Sequence, residues 1–285
     1  MKAFPIPVVA VGPGSHEEDE ALEYIPSPGE MSTFNVPRLP EVIDPVVRDE
    51  VLGVLGRLLD GMRAWSFGDP DYPEIDLAAL SVDAITLVNE ALGQGEVSIV
   101  AETERGTLRV QETVFAGVWR ELGFDPAQRQ VRDVVSAAPV PGAIGACAQV
   151  ACSAGIAVPS PPSGVMNAPS ILAELVDVAA RWKAGDAAHI VNLTLLPLVP
   201  DDLAYLDGAL GAGSVVVLSR GYGNCRVSST RLANTWWVQY FNSADNLILN
   251  TIEVTDMPDV VPAAAEDFGD SVERLAEWIE TLRLE

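Results

Sequence analysis

The sequence has few of the residues that enzymes use for acid–base and nucleophilic chemistry. Its 285 residues include only two histidines, His16 and His189. His16 lies in an acidic stretch, and we expect His189, which precedes a predicted strand, to be structural. A Ser-His-Asp or Cys-His triad needs a histidine base, so this scarcity argues against such catalysis. No spacing of carboxylates marks a hydrolase pair or a metal cage, and we expect no enzyme activity, cofactor or metal.

Cysteine is almost as rare, with Cys147, Cys152 and Cys225 as its three occurrences. An odd and small number excludes a disulfide scaffold. Four residues separate the first two thiols, a spacing compatible with metal or redox chemistry, but no second local pair accompanies them. We favour buried thiols that behave as small hydrophobic groups. The alternative is a thiol- or metal-dependent redox or iron–sulfur accessory protein that uses all three cysteines.

Basic residues are also scarce, since 17 Lys and Arg oppose 41 Asp and Glu for a net charge of −24. Such a surface repels phosphate backbones, which excludes nucleic acid as a partner. No window holds the roughly 20 apolar residues of a membrane span, and the apolar stretch after Lys2 is too short for a signal peptide. We therefore predict a cytoplasmic protein without membrane insertion. Because 48% of the residues are hydrophobic, the chain as a whole is not disordered.

The acidic residues are concentrated at the two ends of the chain. Residues 1–45 carry a net charge of −6 and residues 253–285 a net charge of −8. The first segment is rich in proline and contains the run Glu17, Glu18, Asp19 and Glu20, so we predict an extended acidic arm. Two interpretations remain open for this acidity. The ends either keep an apolar protein soluble or present negative potential to a basic partner segment.

Apolar periodicity predicts the same series of elements twice between residues 46 and 230. The first series is a helix over 47–65, a strand over 75–80, a helix over 82–92 with Ser81 as its N-cap, and strands over 97–102 and 108–113. The second is a helix over 171–182, a strand over 190–196, a helix over 200–210, and strands over 215–219 and 226–230. A hairpin over 236–254 and an amphipathic helix over 268–282 follow.

The two series also match in sequence. Residues 92–97 align with 210–215 at an offset of 118, and residues 106–113 align with 223–230 at an offset of 117. We interpret this as an internal duplication of a helix–strand–helix–multistrand unit. The predicted fold is α+β, a pseudo-twofold body with an acidic N-terminal arm and a C-terminal helix. We favour one intertwined body, because each unit's small sheet would otherwise expose an edge.

These elements predict four segments. They are an arm over 1–45, a first repeat over 46–135, an Ala-, Pro- and Gly-rich connector over 136–168, and a second repeat over 169–285 that includes the long hairpin and the C-terminal helix. The Gly221–Asn224 turn lies between two predicted strands, so we assign it to a hairpin rather than to a phosphate loop.

Several motifs occur in order along nearly the whole chain. They are Gly12-Pro13-Gly14, Gly95-Glu96-Val97-Ser98, the segment 112–120, Gly164-Val165-Met166-Asn167-Ala168-Pro169, Gly221-Tyr222-Gly223-Asn224-Cys225-Arg226, Trp236-Trp237 and Asp267-Phe268-Gly269-Asp270. In these motifs the chain resembles the HupH/HyaF family of hydrogenase expression/formation proteins, named HoxQ in other operons. The resemblance implies an accessory protein of membrane-bound or uptake [NiFe]-hydrogenase, and it supplies no catalytic residues.

The resemblance also implies the partners. Family members are thought to act as chaperones for the iron–sulfur small-subunit precursor with its twin-arginine leader, and are linked to a thioredoxin-like protein of the HyaE/HoxO/HupG type. A leader with basic residues before an apolar segment requires negative potential beside exposed apolar surface. The candidate contact residues are Glu17, Glu18, Asp19, Glu20, Met166, Asn167, Gly221, Tyr222, Gly223, Asn224, Cys225, Arg226, Trp236 and Trp237.

Overall fold

A computed structural model describes residues 43–150, 152–220 and 224–284. The predicted acidic arm therefore lies almost entirely outside the described residues. Six helices are described: α1 (Pro45–Ala64), α2 (Val82–Leu92), α3 (Gly142–Val150), α4 (Ala168–Arg181), α5 (Pro200–Leu210) and α6 (Ala265–Leu284). The ten described strands are β1 (Glu74–Asp76), β2 (Val97–Thr103), β3 (Gly106–Glu112), β4 (Val118–Phe124), β5 (Gln130–Ala137), β6 (His189–Asn192), β7 (Ala212–Ser219), β8 (Asn224–Thr230), β9 (Thr235–Phe241) and β10 (Leu247–Val254).

Side-chain caps mark the first residues of the helices α1 and α2. The Asp44 carboxylate accepts a hydrogen bond from the Val46 N–H at 2.8 Å and begins α1. Ser81 caps α2 as predicted, because its Oγ accepts from the Ala84 N–H at 3.2 Å. None of the described helices combines the length and the hydropathy that a membrane-spanning segment needs.

All ten described strands belong to one antiparallel sheet, in the order β1-β5-β4-β3-β2-β7-β8-β9-β10-β6. The two halves join where β2 pairs with β7, with Ile99 opposite Val217. Outward from that junction, the strands of the first half follow in the order β2, β3, β4, β5, β1 and those of the second half in the order β7, β8, β9, β10, β6. In each half, the strand that comes first in the sequence therefore lies at the outer edge of the sheet. The prediction of an α+β fold is confirmed. Because β2 and β7 pair with each other, neither half exposes that edge of its sheet.

Strand alternation divides the core into two layers. Val118 contacts the core formed with α1, α2 and α6, while the next residue, Trp119, faces the opposite side of the sheet. That opposite side is covered by α3, which packs on β2 and β7. In the second half α4 and α5 pack on the same side as α1 and α2, against residues such as Ile252.

The two halves also repeat the same local hydrogen bonds 117 residues apart. Trp119 Nε1 donates to the Ala138 carbonyl at 2.8 Å, and Trp236 Nε1 donates to the Thr255 carbonyl at 3.1 Å. The backbone repeats too, because the Ala138 N–H donates to the Gly117 carbonyl and the Thr255 N–H donates to the Asn234 carbonyl. Gly117 and Asn234 both have positive φ, at 76° and 55°.

Two predicted strands are shorter than expected, and side-chain caps explain both. The strand predicted over 75–80 ends at Asp76, whose Oδ1 accepts from the Ala78 N–H at 2.8 Å and turns the chain. The strand predicted over 190–196 ends at Asn192, whose Oδ1 accepts from the Thr194 N–H at 3.0 Å. A single 3₁₀ turn over Leu193–Leu195 follows and displaces these leucines from the sheet.

The segment over 136–168, predicted to be a connector, contains regular structure. It includes the end of β5 and the helix α3, which buries Ile144 and Ala148 against the sheet. This helix was missed because its Ala- and Gly-rich sequence gives little apolar periodicity. The β4–β5 hairpin was also not predicted as separate strands, and β5 runs past residue 135, the predicted end of the first repeat.

Candidate functional site

A group of large apolar side chains is exposed where α4 and α5 begin. Met166 and Leu195 are 74% and 80% exposed, and Leu196 and Val199 are 38% and 39% exposed. We name these four residues the Met166 patch. Met166 lies on the loop before α4, Leu195 ends the 3₁₀ turn, and Leu196 and Val199 lie on the segment that joins this turn to α5. Exposed apolar side chains on neighbouring loops are typical of a protein–protein contact.

The buried carboxylate of Asp202 holds these two loops together. Its Oδ1 accepts hydrogen bonds from the N–H groups of Met166, Asn167 and Ala168 at 2.8, 3.0 and 3.0 Å. Its Oδ2 accepts from the Val199 N–H at 3.2 Å. Although burial raises the pKa of Asp202, these four donors outweigh it and hold the pKa below its ordinary value. Asp202 therefore stays ionised and fixes the backbone of both loops.

Two further side-chain bonds stiffen the same region. Asn167 occupies the N-cap position of α4, but its side chain makes no cap bond. It donates instead from Nδ2 to the Pro197 carbonyl at 2.7 Å, which links the two loops directly. The Tyr205 hydroxyl on α5 donates to the Pro159 carbonyl at 2.5 Å and holds the proline-rich segment before the patch. The patch is thus carried on well-defined loops.

The charge next to the Met166 patch is negative. Residues 155–176 and 193–206 contain no Lys or Arg. Asp201 is exposed beside Gly164, where a Cβ would lie 2.5 Å from the Asp201 Oδ2. Gly164 has φ +106°, a backbone conformation that favours glycine at this point. The site combines exposed apolar surface with a nearby carboxylate.

The first half of the molecule lacks an equivalent of this site. The α2 residue in the position of Asp202 is Ala84, at the offset of 118 that relates the two helices. There the cap residue Ser81 donates its hydroxyl to Glu50 Oε2 at 2.9 Å, which ties α2 to the longer helix α1. The carboxylate that joins two loops is therefore a feature of the second half alone among the described residues.

The other candidate contacts fall into three groups. Glu17–Glu20 and Gly221–Gly223 lie outside the described residues. Trp236 and Cys225 are buried on the α3 side of the sheet, so neither presents its side chain to a partner, and we drop both as contacts. Because successive side chains of a strand point to opposite sides of the sheet, the next residues, Arg226 and Trp237, face the other side.

Arg226 and Trp237 lie on the side of the sheet that carries α4 and α5, and both are half-buried. Trp237 Nε1 donates to Asn250 Oδ1 at 2.5 Å, and the Asn250 N–H donates to Thr194 Oγ1 at 2.8 Å, next to Leu195. Asn224 is exposed and donates from Nδ2 to Asp245 Oδ1 at 3.0 Å across the hairpin. The structure thus connects Trp237, but not Asn224, to the 3₁₀ turn of the Met166 patch.

The three cysteines are free thiols in environments that favour the protonated form. Cys147 and Cys152 are half-buried, and burial raises the pKa of both. Burial raises the pKa of Cys225 to about 12. Since the thiolate is the nucleophile and metal ligand, these shifts lower the reactive fraction at neutral pH. No group of three His, Cys, Asp or Glu side chains that could hold a metal occurs within the described ranges.

Glu112 is a buried titratable side chain far along the sequence from the Met166 patch. It ends β3, and burial raises its pKa to about 7, with Glu96 and Asp267 adding to the effect. The Gly117 N–H donates to its Oε1 at 3.3 Å and partly offsets the shift. His189, in turn, lies at the start of β6 with Nε2 2.8 Å from Glu174 Oε1.

Comparison with known proteins gives the family. The model of the family described as "HupH hydrogenase expression protein, C-terminal conserved region" matches residues 52–153 and 165–282. The chain belongs to the HupH family. The hydrogenase expression/formation protein HoxQ of Cupriavidus necator is 46% identical over 283 residues, which cover 98% of this chain and 99% of that protein. The hydrogenase expression/formation protein HupH of Rhodobacter capsulatus is 42% identical over 98% of both chains.

A solved structure of a HupH protein is also similar to this chain. It is the hydrogenase expression protein HupH from Thiobacillus denitrificans, with 26% sequence identity and a TM-score of 0.39. The match covers 40% of this chain and 96% of that chain. The resemblance to the HupH family that the motifs indicated is confirmed.

Sequence reasoning found one member of the Met166 patch and missed the rest. Leu195, Leu196 and Val199 were assigned to a strand and to the segment after it, which hid their exposure. Asp201 and Asp202, in the first turn of α5, were not among the candidate contact residues. A partial signal was the pair Pro197 and Pro200, because prolines disfavour a strand over the residues between them, which include Val199.

Proposed function

We propose that this HupH-family chain acts in [NiFe]-hydrogenase maturation by binding the iron–sulfur small-subunit precursor, with its twin-arginine leader, before assembly and export. The names of its relatives, hydrogenase expression/formation proteins, support a role in hydrogenase maturation. The observation that carries the binding role is the Met166 patch, an exposed apolar group on a protein of net charge −24. Binding without catalysis is the form of activity that we propose.

The chemistry of the precursor fits these properties. A twin-arginine leader presents basic residues followed by an apolar segment, and such a segment aggregates unless its apolar surface is covered. Exposed methionine and leucine side chains provide adaptable apolar contacts, and negative potential accelerates the approach of basic groups. The acidic run Glu17–Glu20 contributes to the net charge of −24. We propose the cytoplasm as the place of binding, because the leader is present only before export.

A thioredoxin-like protein of the HyaE/HoxO/HupG type is the second proposed partner. We propose that it acts on the same precursor, and we name no residues of this chain as its contacts.

We also propose that the body arose by duplication of one unit. Three observations support this origin. One family model matches two stretches of the chain, the two halves have the same strand order, and the Trp119 and Trp236 hydrogen bonds recur in the same local setting. The duplicated body would be a stable frame, while the loop before α4 gives the second half its binding surface.

A co-purification experiment tests the binding role. The tagged chain is expressed in cells that lack the hydrogenase large subunit, so that the small subunit cannot assemble. We expect the uncleaved small subunit to co-purify with it, and less of it as the salt concentration rises, because screening weakens charge attraction. Recovery of no small-subunit precursor would refute the proposed function.

A further inference from the structure

We infer that the Met166 patch docks a short apolar peptide segment preceded by basic residues, and that each chain has one such site. The inference rests on the proposed function and specifies its contact surface. Asp201 would meet the basic residues, and Asp202 would act as a positioning residue that does not touch the peptide. The occupant is a segment of a partner protein, rather than a second copy of this chain.

The apolar part of the inference follows from exposure and order. Met166 and Leu195 expose most of their side-chain surface, although hydrogen bonds to Asp202 and within the 3₁₀ turn fix the backbone beneath them. A preorganised surface loses little conformational entropy when it binds. Prolines 197 and 200 add to this order, because each fixes its own φ. An apolar segment gains free energy by covering these side chains at small cost in ordering.

The charge of the occupant follows from the surroundings of the patch. Residues 155–176 and 193–206 carry no Lys or Arg, and their exposed charged residues are Asp201 at the start of α5 and Glu174 on α4, which contacts His189. The carboxylate of Asp202 is buried and satisfied by four N–H donors, so it is not available to a ligand. A basic residue before the apolar segment therefore meets an attractive charge, and an acidic one meets a repulsive charge. This asymmetry argues against a second copy of the strongly acidic chain as the occupant.

The number of sites follows from the comparison of the two halves. Formation of the patch depends on the bonds from Asp202 to Met166 and Val199. The first half has Ala84 in that position and lacks the loop that would correspond to residues 164–168, because α1 extends there and binds Ser81 through Glu50. A pseudo-twofold fold would otherwise suggest two equivalent sites. We expect one peptide per chain.

The first experiment uses a fluorescent synthetic peptide with two arginines followed by a run of leucine and alanine. Anisotropy measures its affinity for the full chain and for the double variant Met166→Ser/Leu195→Ser. Both side chains are exposed, so the fold should tolerate the change. We expect binding to weaken by about tenfold or more, since two apolar contacts are lost. The matched control is Val46→Ser/Val82→Ser, which alters two side chains that are 75% and 79% exposed on α1 and α2. This control should bind as the wild type does.

A second pair of measurements tests the roles of the two aspartates. Asp201→Asn should weaken the arginine peptide and reduce its salt dependence, but should leave a peptide with glutamines in place of arginines unchanged. Asp202→Asn should weaken both peptides equally, because it disturbs the loops rather than the charge. Equal effects of Asp201→Asn on both peptides would overturn the charge assignment, and a titration endpoint of two peptides per chain would overturn the single site.

The same variants separate this inference from the proposed function. If the wild-type chain and Met166→Ser/Leu195→Ser capture the small-subunit precursor equally, the function stands and the contact surface is wrong. If the wild type captures no precursor, the proposed function itself fails, whatever the peptide does. Loss of both peptide and precursor in the double variant, with the Val46/Val82 control intact, is the result that we expect.

Discussion

The stability of Glu112→Gln relative to the wild type should rise with pH. The ordinary pKa of a glutamate is 4.5, and burial of Glu112 in the folded protein raises it to about 7. Well below pH 4.5 both the folded and the unfolded chain hold the proton, and the titration of Glu112 does not change the free energy of unfolding. As the pH rises from 4.5 to about 7, the unfolded chain releases this proton before the folded chain does, so the folded state loses stability relative to the unfolded state.

The size of the effect follows from the difference between the two pKa values. One pKa unit corresponds to about 1.4 kcal/mol, so the penalty is about 1 kcal/mol at pH 5 and about 3 kcal/mol at pH 8. Glutamine has nearly the same shape and no charge, and its Oε1 can still accept the Gly117 N–H, but its Nε2 cannot accept the Val97 N–H that the carboxylate also binds. That loss is the same at every pH and does not change the pH dependence. The free energy of unfolding of Glu112→Gln, relative to that of the wild type, should therefore rise by about 2 kcal/mol between pH 5 and pH 8.

Urea unfolding followed by tryptophan fluorescence at several pH values measures this difference directly. Groups that titrate in both proteins cancel in the comparison. The control variant is Glu102→Gln, which removes the same charge from an exposed position on β2. A free-energy difference between Glu112→Gln and the wild type that is constant from pH 5 to pH 8 would refute the assignment of a raised pKa to this buried carboxyl.

Three further predictions concern stability and the thiols. Asp202→Ala should lower the free energy of unfolding by about 3 kcal/mol or more, because four N–H groups lose their acceptor. The control Asp201→Ala should change it by less than about 0.5 kcal/mol. Parallel urea titrations of the two variants measure both values. Gly117→Ala should cost about 1 to 3 kcal/mol, since Gly117 has φ +76° and the new Cβ would lie 2.8 Å from the Phe268 ring; Asn234→Gly, the same site in the second half, should cost less. Replacement of Cys147, Cys152 and Cys225 by serine should leave hydrogenase maturation unchanged, and loss of maturation in a folded triple variant would favour the thiol- or metal-dependent alternative.

The elements that could be predicted from sequence are those whose apolar spacing stands out over several turns. The helices α1, α2, α4, α5 and α6 lie where the periodicity places them, and the cap Ser81 lies at the predicted boundary. The β9–β10 hairpin was also predicted, because turn-forming residues separate two strands of high β propensity. In these cases the local sequence and the tertiary fold favour the same structure.

The parts that could not be predicted depend on contacts between residues distant in sequence. Nothing local distinguishes Asp202 from other acids at the start of a helix, and its role appears only when the loop that holds Met166, 36 residues earlier, is placed beside it. The helix α3 needs the sheet beneath Ile144 and Ala148 to be stable, because its own sequence has no clear apolar face. The exposure of Leu195 depends on the Asn192 turn, which overrides the β propensity of its neighbours.

Site-specific photocrosslinking tests the central claim most directly. A photoreactive amino acid is placed at Leu195, or at Val82 as the exposed control, in the full chain expressed in cells that lack the hydrogenase large subunit. We predict that the residue at position 195 crosslinks to the leader of the small-subunit precursor, and that the residue at position 82 does not. Crosslinks to the leader from position 82 with none from position 195 would contradict it.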